Sequence, residues 1–217
     1  MSQILSYSQP PRVKVCGLTS VEDSLLAVNA GADAIGMVFY EPSPRHVSIE
    51  TAERIARAAG PFVTTVGLFV DASRAEVEGV LRRVPLQLLQ FHGDESPEYC
   101  EAFQRPYMKA IRVKPDMDIV EVISQYSSAV AVLLDTYKKG VPGGTGETFD
   151  WDRVPSQSQR QLPVVLAGGL TPENIQEAIF NTLPYGVDVS GGVESSPGKK
   201  DPQKITEFIH NAHRALH

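Results

Sequence analysis

Two residues could work as an acid–base pair. Cys16 follows the apolar run Val13-Lys14-Val15 and precedes Gly17. Asp135 closes Ala129-Val130-Ala131-Val132-Leu133-Leu134. A thiolate base and a carboxylic acid facing each other can move a proton between neighbouring carbons while protonating an oxygen. A free thiol titrates at about 8.5, so Cys16 would need a positive charge nearby. Each residue also has a plainer reading. A cysteine is most often a small buried hydrophobe, and an aspartate can cap a turn. Cys100, inside a helical stretch, keeps the plain reading.

Three glycine clusters suggest an anion site. They are Gly168-Gly169, Gly191-Gly192 after Ser190, and Gly143-Gly144-Thr145-Gly146. Glycine lets the backbone approach a ligand, and its N–H groups can face a phosphate. Tight turns are the alternative use. Arg45, behind the stiff Pro42-Ser43-Pro44, could offer its planar fork to a carboxylate. His92 could line a pocket, but the favoured reading is a structural histidine bonded to a neighbouring carbonyl. Asp188 lies in an apolar run, where a lone charge is costly unless paired or facing a cavity. It could orient a substrate N–H. His92, Asp94 and Glu95 have no spacing that converges on one metal ion, so no metal is expected.

The elements that would carry these groups alternate regularly. Continuous apolar runs span Val13–Cys16, Ala34–Phe39, Phe62–Val70, Leu86–Phe91, Met108–Val113, Ala129–Leu134, Val164–Ala167 and Gly186–Val189. Strands buried on both faces read this way. Helical stretches lie between them. Ser20 and Ser73 read as caps, the second in a capping box with Glu76. Thr171-Pro172 and Asp201-Pro202 read as helix starts with Pro at the first position. Ile205, Phe208, Ile209 and Ala212 form an amphipathic stripe. Strand and helix repeated eight times, in units of about 25 residues, predict an α/β fold: a single (β/α)8 TIM barrel. A doubly wound open sheet is the weaker alternative. Glu194–Gly198 is expected to form a short extra helix after strand 8. Residues 1–12 read as a flexible leader and 13–217 as the barrel. Chemistry then belongs to the strand ends and the loops after them, where most of the groups named above fall.

Composition narrows the class. The chain has 217 residues, 42% of them hydrophobic, and a net charge of −6. It has no long basic run, which argues against nucleic-acid binding. No apolar run is long enough to span a bilayer, so no membrane association is expected. Two cysteines make no disulfide framework, and a cytoplasmic location is expected. Monomer and dimer both suit a barrel of this size, and the monomer is favoured. Lys138-Lys139-Gly140 and Gly143-Gly144 could form a lid.

The motifs together resemble the phosphoribosylanthranilate isomerase family of tryptophan biosynthesis. They are Lys14-Val15-Cys16-Gly17-Leu18-Thr19, Gly31–Gly36 with Ser43-Pro44-Arg45, Gln90-Phe91-His92-Gly93-Asp94-Glu95, Leu134-Asp135, Pro142–Gly146, Phe149-Asp150-Trp151, Ala167-Gly168-Gly169-Leu170 and Val187–Glu194. They keep the family's order from about Val13 to the end. The resemblance implies a cofactor-free Amadori rearrangement of a small phosphosugar. In it Asp135 is the acid, Cys16 the base, and Arg45 the holder of the anthranilate carboxylate. Backbone N–H groups around Gly146, Gly169 and Gly192 hold the phosphate. The rivals are the related sugar-phosphate isomerase of histidine biosynthesis and a non-catalytic phosphosugar-binding barrel.

Overall fold

A computed structural model describes residues 10–136 and 150–216. Eight parallel strands close into a barrel in chain order, with the last hydrogen-bonded to the first. They are β1 (Arg12–Val15), β2 (Ala34–Val38), β3 (Thr64–Phe69), β4 (Leu88–Phe91), β5 (Tyr107–Val113), β6 (Ala131–Thr136), β7 (Val164–Leu166) and β8 (Gly186–Val189). Every residue of β6 and β8 is buried. Helices cover the outer face and neighbouring side chains fill the inner one, so these strands need apolar residues at nearly every position. The third strand starts later than Phe62, which is 97% exposed.

The helices are α1 (Val21–Ala30), α2 (Ile49–Ala58), α3 (Arg74–Leu81), α4 (Pro97–Glu101), α5 (Ile119–Gln125), α6 (Ile175–Thr182) and α7 (Pro202–Arg214). Ser20 caps α1 through the Asp23 N–H, and Ser73 and Glu76 close a full capping box on α3. α7 buries Ile205, Phe208, Ile209 and Ala212. Each large side chain there contributes about 1.5–3 kcal/mol by leaving water.

The alternation breaks in two places, and one helix starts later than expected. Among the described residues, β6 and β7 are joined not by an α-helix but by two 3-10 turns, Trp151–Arg153 and Gln157–Gln159. Pro155 separates them, and the surrounding polar sequence offers no apolar stripe. α6 begins after Pro172, with Asn174 at its cap; Asn174 Oδ1 accepts the Thr171 N–H at 2.8 Å. Beyond β8, the extra helix is the 3-10 turn Gly191–Val193. Glu194–Ser196 instead pairs antiparallel with Lys199–Lys200 as a small hairpin, β9 and β10. Gly198 makes its turn with a φ of 82°.

Candidate active site

Side chains on a strand alternate between its two faces. Lys14 and Cys16 are two apart, as are Gln90 and His92, and Asp188 and Ser190. One end of the barrel opens into a cavity of about 730 Å³, within the range for small-molecule sites. Cys16, Gln90, His92, Asp135, Asp188 and Ser190 line it, with Arg45 and the loops after β7 and β8 at its edge.

Cys16 is buried at the end of β1. Burial pushes its thiol up, and the neighbouring Lys14 ammonium pulls it back without cancelling the rise. Lys14 sits in register with Asp188 across the β1–β8 ladder, and Nζ meets Asp188 Oδ1 at 2.8 Å. Burial alone would pull Lys14 down, but Asp188 and Cys16 outweigh it, so the ammonium is held charged. Burial also pushes the Asp188 carboxyl up, against the attraction of Lys14. Lys14 was not among the expected site residues. Its signal was available: a cation between two valines, two positions before the thiol and therefore on the same face.

Asp135 lies at the other side, near the end of β6. Its Oδ1 accepts the Thr136 N–H at 2.8 Å, and Oδ2 meets His92 Nε2 at 3.0 Å. The second ring nitrogen of His92 faces Gln90 Nε2 at 3.1 Å. His92 therefore lines the cavity, but its partners are a carboxylate and an amide rather than the carbonyl foreseen.

Arg45 is held by a bidentate pair with Glu194, Nε to Oε1 and Nη2 to Oε2, both 2.8 Å. Glu194 Oε1 also accepts from Lys200 Nζ at 2.9 Å. The Lys200 side chain is 0% exposed, and burial pulls its pKa down. Burial works against the Glu194 carboxylate too, but the hydrogen bonds from Arg45 and Lys200 prevail and hold its pKa below the ordinary value. Neither Glu194 nor Lys200 was foreseen as functional. Glu194 lies 149 residues from Arg45 in sequence, and no local pattern joins them. The Nε edge of the Arg45 guanidinium is thus occupied, and its Nη1–Nη2 end is the edge available to a carboxylate.

The glycine loops meet at the same mouth. Gly168 and Gly169 take φ of 84° and 65°. A side chain at Gly192 would strike the Leu170 carbonyl oxygen, so the loops after β7 and β8 touch backbone to backbone there. Ser190 Oγ is buried and has no hydrogen-bond partner among the described residues. Gly144, Thr145 and Gly146 lie outside the described residues, as does the Lys138–Gly144 lid segment.

His92, Asp94 and Glu95 diverge. Glu95 is spent on the Asp71 and Gly93 N–H groups and on Lys109 Nζ at 2.8 Å. That cluster ties the loops after β3 and β4 together.

Fold and mouth define the class: a (β/α)8-barrel enzyme with its polar groups gathered where the strands end. The family model described as N-(5'phosphoribosyl)anthranilate (PRA) isomerase matches residues 13–211. N-(5'-phosphoribosyl)anthranilate isomerase of Cellvibrio japonicus is 63% identical over 197 residues, 91% of each chain. The crystal structure of phosphoribosyl anthranilate isomerase from Thermotoga maritima superposes with a TM-score of 0.85 at 41% identity, covering 93% of this chain and 98% of that one. A phosphoribosyl anthranilate isomerase in complex with reduced 1-(o-carboxyphenylamino)-1-deoxyribulose 5-phosphate gives 0.78 at 40%, with the same coverage. The chain belongs to the N-(5'-phosphoribosyl)anthranilate isomerase family.

Proposed function

We propose that the chain catalyses the Amadori rearrangement of N-(5'-phosphoribosyl)anthranilate to 1-(2-carboxyphenylamino)-1-deoxyribulose 5-phosphate, with Asp135 as acid and Cys16 as base. The observation that carries this is their placement in one cavity from strands three steps apart around the ring, with the Lys14 ammonium beside the thiol. Asp135 gives a proton to the furanose ring oxygen, and the C1–O bond breaks to leave a Schiff base. The Cys16 thiolate then takes the proton from C2, and the electron pair of that C–H bond forms an enolamine. The enolamine relaxes to the ketone, so that C2 has lost a hydrogen and C1 has gained one. Each positioned group of this kind contributes about 10²–10⁴-fold.

Binding follows the substrate's two anionic ends. The loops after β7 and β8, with Gly168, Gly169, Ser190, Gly191 and Gly192, hold the phosphate, and the unpartnered Ser190 Oγ supports this. Arg45 takes the anthranilate carboxylate on its Nη1–Nη2 end. Asp188 faces the same space and orients the substrate N–H, while His92 acts through Asp135. The related complex holds a molecule of this kind, a phosphosugar bearing a carboxyphenyl group. The assembly proposed for this chain is a monomer. No helix among the described residues is long and apolar enough to cross a membrane. The reading places the reaction, a step of tryptophan biosynthesis, in the cytoplasm.

The test is a fluorescence time course. Substrate is made in place from anthranilate and phosphoribosyl pyrophosphate by the transferase, and the protein is then added. Accelerated loss of signal, absent with Asp135→Asn, is expected. Binding without turnover would leave a phosphosugar-binding barrel instead.

A further inference from the structure

Both ring nitrogens of His92 are committed to protein groups. Nδ1 lies 3.1 Å from Gln90 Nε2 and Nε2 lies 3.0 Å from Asp135 Oδ2. An amide nitrogen only donates. Nδ1 is therefore the accepting nitrogen, and a neutral ring carries its proton on Nε2, where it donates to Asp135.

This orientation of Gln90 has a visible cost. The residue is 0% exposed, and its Oε1 has no hydrogen-bond partner among the described residues. A buried acceptor left bare has given up its water without a replacement hydrogen bond. Turning the amide over would put Oε1 against Nδ1 and move the ring proton there. Nε2 would then be a bare lone pair, and Asp135 could meet it only with its own proton on Oδ2. That proton is the one the reaction needs on the substrate's ring oxygen.

We propose that Gln90 is a positioning residue that locks His92 as the Nε2–H tautomer, so that Oδ2 of Asp135 always accepts and its acidic proton is carried on Oδ1. Oδ1 lies beside Gly168, which lines the cavity. The inference rests on Asp135 being the acid. The charged groups that face this chain are Asp135 from β6, Asp188 from β8 with its partner Lys14, and Arg112 from β5, whose Nη2 donates to the His92 carbonyl.

The first measurement is nitrogen NMR of the full chain labelled at histidine, with His92→Asn to assign the signal. The expected spectrum shows neutral His92 protonated on Nε2. A proton on Nδ1, or a doubly protonated ring in the resting protein, would overturn the proposal. The second measurement compares Gln90→Glu with Gln90→Met. A carboxylate beside Nδ1 demands a proton there and drives the ring toward the imidazolium form, which holds Asp135 ionised. Gln90→Glu should lower kcat about 100-fold, within the range of one acid–base group, with KM nearly unchanged and the acid side of the kcat–pH profile altered. Gln90→Met should lower kcat much less. Two variants that raise KM and spare kcat would make Gln90 a substrate contact and sink the idea. Full activity of Asp135→Asn would remove the acid and the catalytic half of the inference with it, independently of the spectrum.

Discussion

Arg45 and Glu194 meet edge to edge through two 2.8 Å hydrogen bonds, and the carboxylate that fixes the arginine is shared with the wholly buried Lys200. One side chain thus fixes a guanidinium at the edge of the cavity and neutralises a second cation in the interior. Replacing Glu194 by Gln should therefore hurt twice. Leaving Lys200 without its counter-charge should destabilise the fold by roughly 3–5 kcal/mol, read from denaturant midpoints. A loosened Arg45 should raise KM while kcat changes less. A neutral outcome in both would show that the network is ornamental.

Acid should expose the same carboxylate. The folded state holds Glu194 below its ordinary range through Arg45 and Lys200. Its contribution is complete above the unfolded value and is lost as pH falls through the depressed folded value. Melting temperatures should drop in that acid window, and Glu194→Gln should flatten the drop. Parallel melting curves for the two proteins would contradict the linkage.

Arg45→Ala removes the proposed carboxylate clamp. KM should rise with a smaller change in kcat. Anthranilate-type inhibitors should weaken more than ones lacking the carboxylate. Equal weakening of both would assign Arg45 elsewhere.

Cys16→Ser exchanges the thiol for a far weaker acid. A fall in kcat of about 10²–10⁴-fold with KM near its starting value is expected. Unchanged kcat would take Cys16 out of the mechanism.

Because burial holds the Cys16 thiol above its ordinary value, activity that depends on the thiolate should climb as pH rises above neutral. Lys14 opposes that burial. Lys14→Met should move the ascending limb further toward alkaline pH, whereas Lys14→Arg should restore part of it. Alkylation of Cys16 against pH gives the same limb without turnover. Cys100, pushed up to about 12 chiefly by burial, should not interfere. An unmoved limb in Lys14→Met would mean that the ammonium does not tune the thiol.

Much of the barrel was legible because parallel strands buried on both faces leave continuous apolar runs, and because caps such as Ser20 and Ser73 act within a few residues. Cys16, Asp135 and the glycine pairs stood out as chemistry at strand ends. The connection between β6 and β7 misled, since a counted repeat cannot show that its described residues form 3-10 turns around Pro155 rather than an α-helix. The hairpin after β8 was hidden because the pairing of Glu194 with Lys200 competes with local helix formation and wins through tertiary charge contacts. Lys14 and Gln90 were readable by a period of two, but the distant partners of Lys14 and His92 were not. Asp188 meets Lys14 across 174 residues, and Asp135 meets His92 across 43.

The barrel's closing ladder joins its earliest strand to its last, with Lys14 opposite Asp188. That seam gives the order of synthesis a chemical meaning. A chain still emerging from the ribosome carries Cys16 and Lys14 well before β8, yet Lys14 lacks its Asp188 counter-ion until β8 is made and the ring shuts. Glu194 and Lys200 come later still. The thiol therefore acquires these surroundings only once the ring is closed, and any fragment ending before β8 should hold Cys16 and Lys14 without the Asp188 counter-charge.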